Sequence, residues 1–115
     1  MKERRRYHRF NLQGKVILEL GGKRHEFPAA DISTSGVGVM LDGSALGGKP
    51  SGEVGTCIID SPDLACPVEA FVSVMSSRKI GHQHLLGLRF ESISDEQLRV
   101  IHAYETLIKS RNKKH

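Results

Sequence analysis

Apolar positions along the chain fall into short runs separated by turn-forming residues, and their spacing changes once, near residue 94. Val16-Ile17-Leu18-Glu19-Leu20 is rich in β-favouring aliphatic residues and ends at Gly21-Gly22, which supplies the positive φ angles of a tight hairpin. Lys23 to Ile32 forms the return strand, and Pro28, with no N–H for the ladder, marks an edge or a bulge within it. Val37–Leu41, Val54–Ile59, Val68–Met75 and Leu85–Phe90 are further short strands. They are separated by the Gly/Ser/Pro-rich stretch 42–52, by Asp60-Ser61-Pro62-Asp63, and by a loop around Gly81. Six short strands joined by turn signals predict an all-β-dominated fold, a closed or nearly closed six-stranded antiparallel barrel.

The period becomes helical after Ser94-Asp95-Glu96-Gln97. Ser94 can accept from the N–H three residues on while Gln97 reaches back, and Asp95 and Glu96 suit the positive end of a helix dipole. Leu98, Ile101 and Ile108, flanked by Val100, Tyr104 and Leu107, give the helix an apolar side that should pack on the barrel and cover an opening. The organisation expected is one domain: a flexible arginine-rich arm over 1–14, the barrel over 15–93, and the C-terminal helix with a basic tail over 94–115.

The net charge of +4 raises a nucleic-acid reading, which its distribution then weakens. Residues 1–9 carry +4 and residues 109–115 another +4, while the body between holds eight basic against twelve acidic side chains. A protein that tracks a polyanion carries its cations across the folded surface. The chain has no Trp and few aromatics, so a base-stacking platform is not expected either. Nothing approaches the apolar run of roughly 20 residues that a membrane helix needs, and no apolar stretch follows the basic N-terminus as in a secretory signal. The expectation is a cytoplasmic chain with two buried, reduced thiols, Cys57 and Cys66. His82 and His84 could reach zinc only if both cysteines converged on them, since neither pair has the close cysteine spacing of a zinc site. No motif joins a nucleophile to a base, so no enzyme activity and no cofactor are expected.

Two segments carry chemistry. Arg4-Arg5-Arg6-Tyr7-His8-Arg9 precedes the first strand, and its guanidinium forks fit phosphate oxygens or the O6/N7 edge of guanine; a solvated basic tail would read the same way. Asp31-Ile32-Ser33-Thr34-Ser35-Gly36 lies between the second and third strands. Asp31 is an acceptor suited to guanine N1–H and its amine, Ser33 can donate or accept nearby, and Gly36 permits unusual backbone geometry and close ligand approach. An Asx or Ser turn between strands would use the same residues.

Taken together the two segments resemble the PilZ family of bacterial cyclic di-GMP receptors, whose pattern is RxxxR ahead of a six-stranded barrel and then (D/N)xSxxG. Arg5-Arg6-Tyr7-His8-Arg9 matches the first motif and Asp31 to Gly36 the second; the Gly87-Leu88-Arg89-Phe90 strand and the following helix resemble the family's closing elements. The resemblance implies that Arg5 and Arg9 grip phosphate and guanine while Asp31, Ser33 and Gly36 hold a guanine edge. Arg4, just before the first motif, is often basic in members that take an intercalated ligand dimer. What it implies for this chain is a cyclic di-GMP receptor or adaptor whose arm orders on the ligand and signals to an unidentified protein effector, without nucleic acid and without membrane insertion. The rival readings are a PilZ-like interaction module that acts without ligand, and a small basic barrel that binds nucleic acid.

Overall fold

The computed structural model describes residues 9–42 and 52–113. Within them the chain runs β1 (Phe10–Asn11), β2 (Lys15–Leu20), β3 (Lys23–Ser33), β4 (Gly36–Asp42), β5 (Val54–Asp60), β6 (Val68–Ile80), β7 (Gln83–Ser92) and α1 (Asp95–Lys113). The strands form one antiparallel sheet in the order β1-β3-β2-β5-β6-β7-β4, and β3 also pairs with β4. That last pairing closes a barrel of the six strands β2 to β7, with the two-residue β1 added alongside β3.

Alternation along each strand fills the barrel. Val16, Leu18, Leu20, Cys57, Ile59, Val68, Val72, Val74, Leu86 and Leu88 all point inward and are buried. The inward positions of β3 do not keep one phase. Phe27 faces in with its partner Val16, and Ala29 pairs with Val39, but Asp31 pairs with Gly38 and Ile32 with Val37. The register shift between Ala29 and Asp31 is a β-bulge with Ala30 as the extra residue. A slip of one residue exchanges the faces of a strand. Here it sends Ile32, fully buried, into the core and turns Asp31 outward. The Pro28 signal is met at this place: Pro28 is the last β3 residue paired with β2, immediately before the bulge.

Four expectations change. The sixth strand begins at Gln83, and β6 continues to Ile80, so the expected loop around Gly81 is a two-residue turn, Gly81-His82. Cys57 is buried, but Cys66 lies exposed in the loop between β5 and β6, where Leu64 rather than the cysteine turns into the core. Ser94 caps the helix as expected, accepting the Gln97 N–H at 3.2 Å, but the Gln97 side chain does not reach back. Its Oε1 accepts the Glu69 N–H instead, because pairing of β6 to β7 stops at Phe71 and leaves that donor beyond the ladder. The helix runs on to Lys113, through most of the expected tail.

Ile101 and Tyr104 of α1 enter the same buried cluster as Leu12 and the barrel strands, while Leu107 is exposed. The Tyr104 hydroxyl donates to the Asn11 carbonyl at 2.6 Å. Asn11 pairs with Asp31, Leu12 N–H bonds to Ala30 carbonyl, and Gln13 N–H to Asp63. Residues 10–13 of the 1–14 segment are thereby tied to the barrel. Among the described residues no helix is long and apolar enough to cross a membrane.

Candidate functional site

The β-bulge and β1 together build the site. The bulge turns Asp31 to the outer face, and β1 places Arg9 one residue before its pairing with β3. Arg9 Nε donates to Asp31 Oδ1 at 2.9 Å, and Nη2 forms an ion pair with the same oxygen, also at 2.9 Å, so one edge of the guanidinium lies on one carboxylate oxygen. Gly38, directly across the ladder, makes room for that carboxylate: a Cβ there would lie 2.6 Å from Asp31 Oδ1.

The outer faces of β4 and β7 carry three glycines in register. Gly36 lies opposite Arg89 and Gly38 opposite Gly87, so no side chain fills the floor between Asp31 on one side and Arg89 on the other. The result is a cleft of about 370 Å³ lined by Arg9, Asp31, Ser35 and the three glycines, with Met75, Arg78, Leu85 and Arg89 along the β6–β7 side.

The sequence-derived site residues fall in different places. Arg9, Asp31 and Gly36 come together at this cleft. Gly36 is there for a reason other than unusual backbone geometry, since its φ is not among the positive ones. A Cβ would sit 2.2 Å from the Leu88 carbonyl oxygen, so the approach of β7 demands glycine. Ser33 is buried behind the cleft wall. Its Oγ accepts the Ser35 N–H at 3.1 Å and shares a hydrogen bond with Ser35 Oγ at 2.9 Å, which closes the β3–β4 turn. Ser35, not Ser33, lines the cleft. Arg4 and Arg5 lie outside the described residues, as does His8.

Sequence reasoning missed Ser35, Gly38, Arg78 and Arg89. The pairing of Gly36-Val37-Gly38 with Gly87-Leu88-Arg89 was the available signal: two glycine-bearing segments of β-rich sequence can form a side-chain-free floor once they are neighbours. Arg89 is held by Glu91, whose Oε2 accepts from Arg89 Nη2 at 2.9 Å and from the Ser73 hydroxyl at 2.6 Å. The Ser73 hydrogen bond, and after it the hydrogen bond from Arg89, lowers the Glu91 pKa from the usual carboxylate value. His82 sits in the turn and His84 in β7, far along the chain from the cysteines; no group of three or more His, Cys, Asp or Glu among the described residues is placed to hold a metal.

The class is that of a six-stranded antiparallel barrel packed against a C-terminal helix, with a glycine-floored cleft that Arg9 lines. The chain belongs to the PilZ domain family, whose profile matches residues 3–106. The fold is similar to that of the Bacillus subtilis Inhibitor of motility (MotI/DgrA), with TM-score 0.77 and 19% identity over 99% of this chain and 55% of that one. It is similar also to the K. pneumonia MrkH–c-di-GMP complex, with TM-score 0.73 and 16% identity over 99% of this chain and 57% of that chain. The PilZ domain of YcgR from Escherichia coli, solved with c-di-GMP, gives TM-score 0.67 and 18% identity over 98% of this chain and 100% of that one. The chain thus spans little more than half the length of the first two. A search of curated proteins gave no significant match.

Proposed function

We propose that this chain is a cyclic di-GMP receptor that binds its ligand at the Arg9–Asp31 cleft. The observation that carries the reading is the Arg9–Asp31 pair standing over a glycine floor, with Arg78 and Arg89 lining the same cleft. Arginine forks beside one acceptor carboxylate suit a ligand with anionic phosphodiesters and a guanine. Arg9 uses its Nε side on Asp31, and its outer edge, formed by the two Nη groups, is the fork left for phosphate or for guanine O6/N7. Asp31 commits Oδ1 to Arg9, and Oδ2 is the oxygen suited to the guanine N1–H and amine. Membership of the PilZ family and likeness of fold to domains solved with c-di-GMP support the same ligand.

The volume bears on how the ligand is held. Pockets that enclose a drug-sized ligand run from about 300 to 1,000 Å³, and about 370 Å³ is at the low end. The cleft accommodates part of a cyclic dinucleotide, so further contacts come from the arm: Arg5 completes the RxxxR motif, and Arg4 adds a cation for a second, intercalated ligand. Ordering the arm changes the surface beside the cleft, which is how the occupied receptor would signal to a protein effector.

Calorimetric titration of the whole chain tests this. Cyclic di-GMP should bind with two molecules per chain, and cyclic di-AMP, which lacks guanine's donor pair for Asp31, at least tenfold more weakly. Arg9→Ala should weaken binding about tenfold or more, since one good fork discriminates by roughly 1–3 kcal/mol. Amide exchange should slow over residues 4–10 and 31–36 when the ligand binds. No binding of cyclic di-GMP, or equal affinity for both dinucleotides, would overturn the reading. Tighter binding of a generic oligonucleotide would replace it with the nucleic-acid reading.

A further inference from the structure

Glu91 poses an electrostatic puzzle. It is a carboxylate two residues from the cleft-lining Arg89 and hydrogen-bonded to it, at the bulge where β7 passes from Phe90 to Ser92, beside the site proposed above for an anion. For simple charge complementarity it is a liability, and as an exposed ion pair it contributes little to stability.

Its geometry gives it another role. Ser73 lies directly opposite Arg89 in the β6–β7 register and is nearly buried. Its hydroxyl donates to Glu91 Oε2 at 2.6 Å, and the same oxygen accepts Arg89 Nε at 3.2 Å and Nη2 at 2.9 Å. One carboxylate oxygen therefore gathers three donors, one of them fixed to the sheet. A guanidinium is a rigid planar fork, so holding its Nε side determines where the opposite edge points. Arg9 is held on its Nε side by Asp31 in the same manner. Asp31 and Arg89 lie on the two strands that flank β4, one on either side of the glycine floor.

We propose that Arg89 is a ligand contact on the β7 side of the cleft, and that Glu91, anchored by Ser73, is a positioning residue that presents the outer edge of Arg89 to a phosphodiester or guanine of cyclic di-GMP. The proposal rests on the reading of the cleft given above. It assigns to the site an acid–arginine pair that lies outside both sequence motifs. Free rotation of an unanchored arginine is a cost paid on binding, and fixing one such side chain changes affinity by about three- to tenfold.

The sign of the effect separates positioning from electrostatics. Removing a negative charge beside an anion site should tighten binding if Glu91 acts only through its field. Positioning requires the reverse. Calorimetry with cyclic di-GMP should show Glu91→Ala weaker than wild type by about three- to tenfold, with Glu91→Gln between the two, since an amide oxygen still accepts from Ser73 and Arg89. Arg89→Ala should bind at least tenfold more weakly than wild type. In an Arg89→Ala background, Glu91→Ala should cause no further loss, because there is no fork left to position. Cooperative melting of each variant well above the titration temperature establishes that it is folded. Glu91→Ala binding as tightly as wild type or tighter, or Arg89→Ala leaving affinity unchanged, overturns the proposal while the receptor reading stands. A wild-type chain that does not bind cyclic di-GMP overturns both.

Discussion

Gly36→Ala and Gly38→Ala each add one methyl group to the outer face of β4, two residues apart, and the structure predicts that they fail in different ways. At Gly36 the new Cβ would lie 2.2 Å from the Leu88 carbonyl oxygen and 3.2 Å from Leu88 C and Arg89 Cα. All three atoms are backbone, so relief requires β4 and β7 to part by roughly 1 Å from their usual spacing of about 4.8 Å. Overpacking of this kind costs about 1–3 kcal/mol, and loosened ladder bonds add about 1 kcal/mol. The stiffer unfolded chain returns about 0.4–1 kcal/mol. A net loss of about 2–3 kcal/mol corresponds to a melting point lowered by roughly 10 °C in a domain of this size.

At Gly38 the Cβ would meet Asp31 Oδ1 at 2.6 Å, its Cγ at 3.2 Å and Leu85 Cδ1 at 3.4 Å, all of them side-chain atoms that can turn aside. What is lost is the partly exposed Arg9–Asp31 pair, worth about 0–1 kcal/mol. Gly38→Ala should therefore melt within about 3 °C of wild type while its affinity for cyclic di-GMP falls about tenfold or more. Circular dichroism melts and calorimetry on the two variants decide the matter. A Gly36→Ala protein as stable as wild type, or a Gly38→Ala protein that loses stability as far as Gly36→Ala, would refute the steric assignment of the two glycines.

Burial pushes the Cys57 thiol up to about 12, whereas Cys66 is exposed, so Ellman's reagent should titrate Cys66 alone in the folded protein and both thiols in denaturant; prompt reaction of both in the folded state would contradict the packing of β5. Glu91 has its pKa lowered in the folded state, first by the Ser73 hydroxyl and then by Arg89, so its stabilising share is present above the ordinary carboxylate range and is lost as pH falls through and below it. The stability difference between wild type and Glu91→Gln should accordingly shrink between about pH 6 and pH 3, as read by urea unfolding, and a difference that grows on acidification would show that the Ser73–Glu91–Arg89 arrangement does not hold in solution.

The barrel strands were legible because one face of each is buried, which imposes alternation on the sequence. Where burial stops, so does the signal. Residues 77–82 are exposed on both faces, and the polar run Ser77-Arg78-Lys79 consequently read as loop although it extends β6 beyond the barrel. That is why Arg78 was missed. β1 was missed for a different reason: Phe10 and Asn11 are held by a distant strand and by the Tyr104 hydroxyl, contacts that no local pattern encodes. Of the residues that line the cleft, Arg9, Asp31 and Gly36 were legible through the two motifs. Arg89 was not, because it reaches the cleft only through the pairing of β4 with β7, between segments about fifty residues apart.

The motif Asp31 to Gly36 owes most of its form to the barrel rather than to a ligand. Ile32 fills the core, Ser33 closes the turn through the Ser35 N–H, and Gly36 admits the Leu88 carbonyl. Only Asp31 is turned outward with a carboxylate over the cleft, and it is outward because Ala30 is one residue too many for the β4 ladder. Loss of affinity on replacing Ser33 or Gly36 is therefore weak evidence for ligand contact, since either change acts first on the turn or on the strand pair. Asp31, Arg9 and Arg89 are different: their side chains stand on the outer surface, and removing them leaves the buried cluster untouched. Assignment of the ligand site rests on those three positions, and on whether the acids that hold each arginine by its Nε side, Asp31 for Arg9 and Glu91 for Arg89, strengthen binding of an anion that their charge alone would repel.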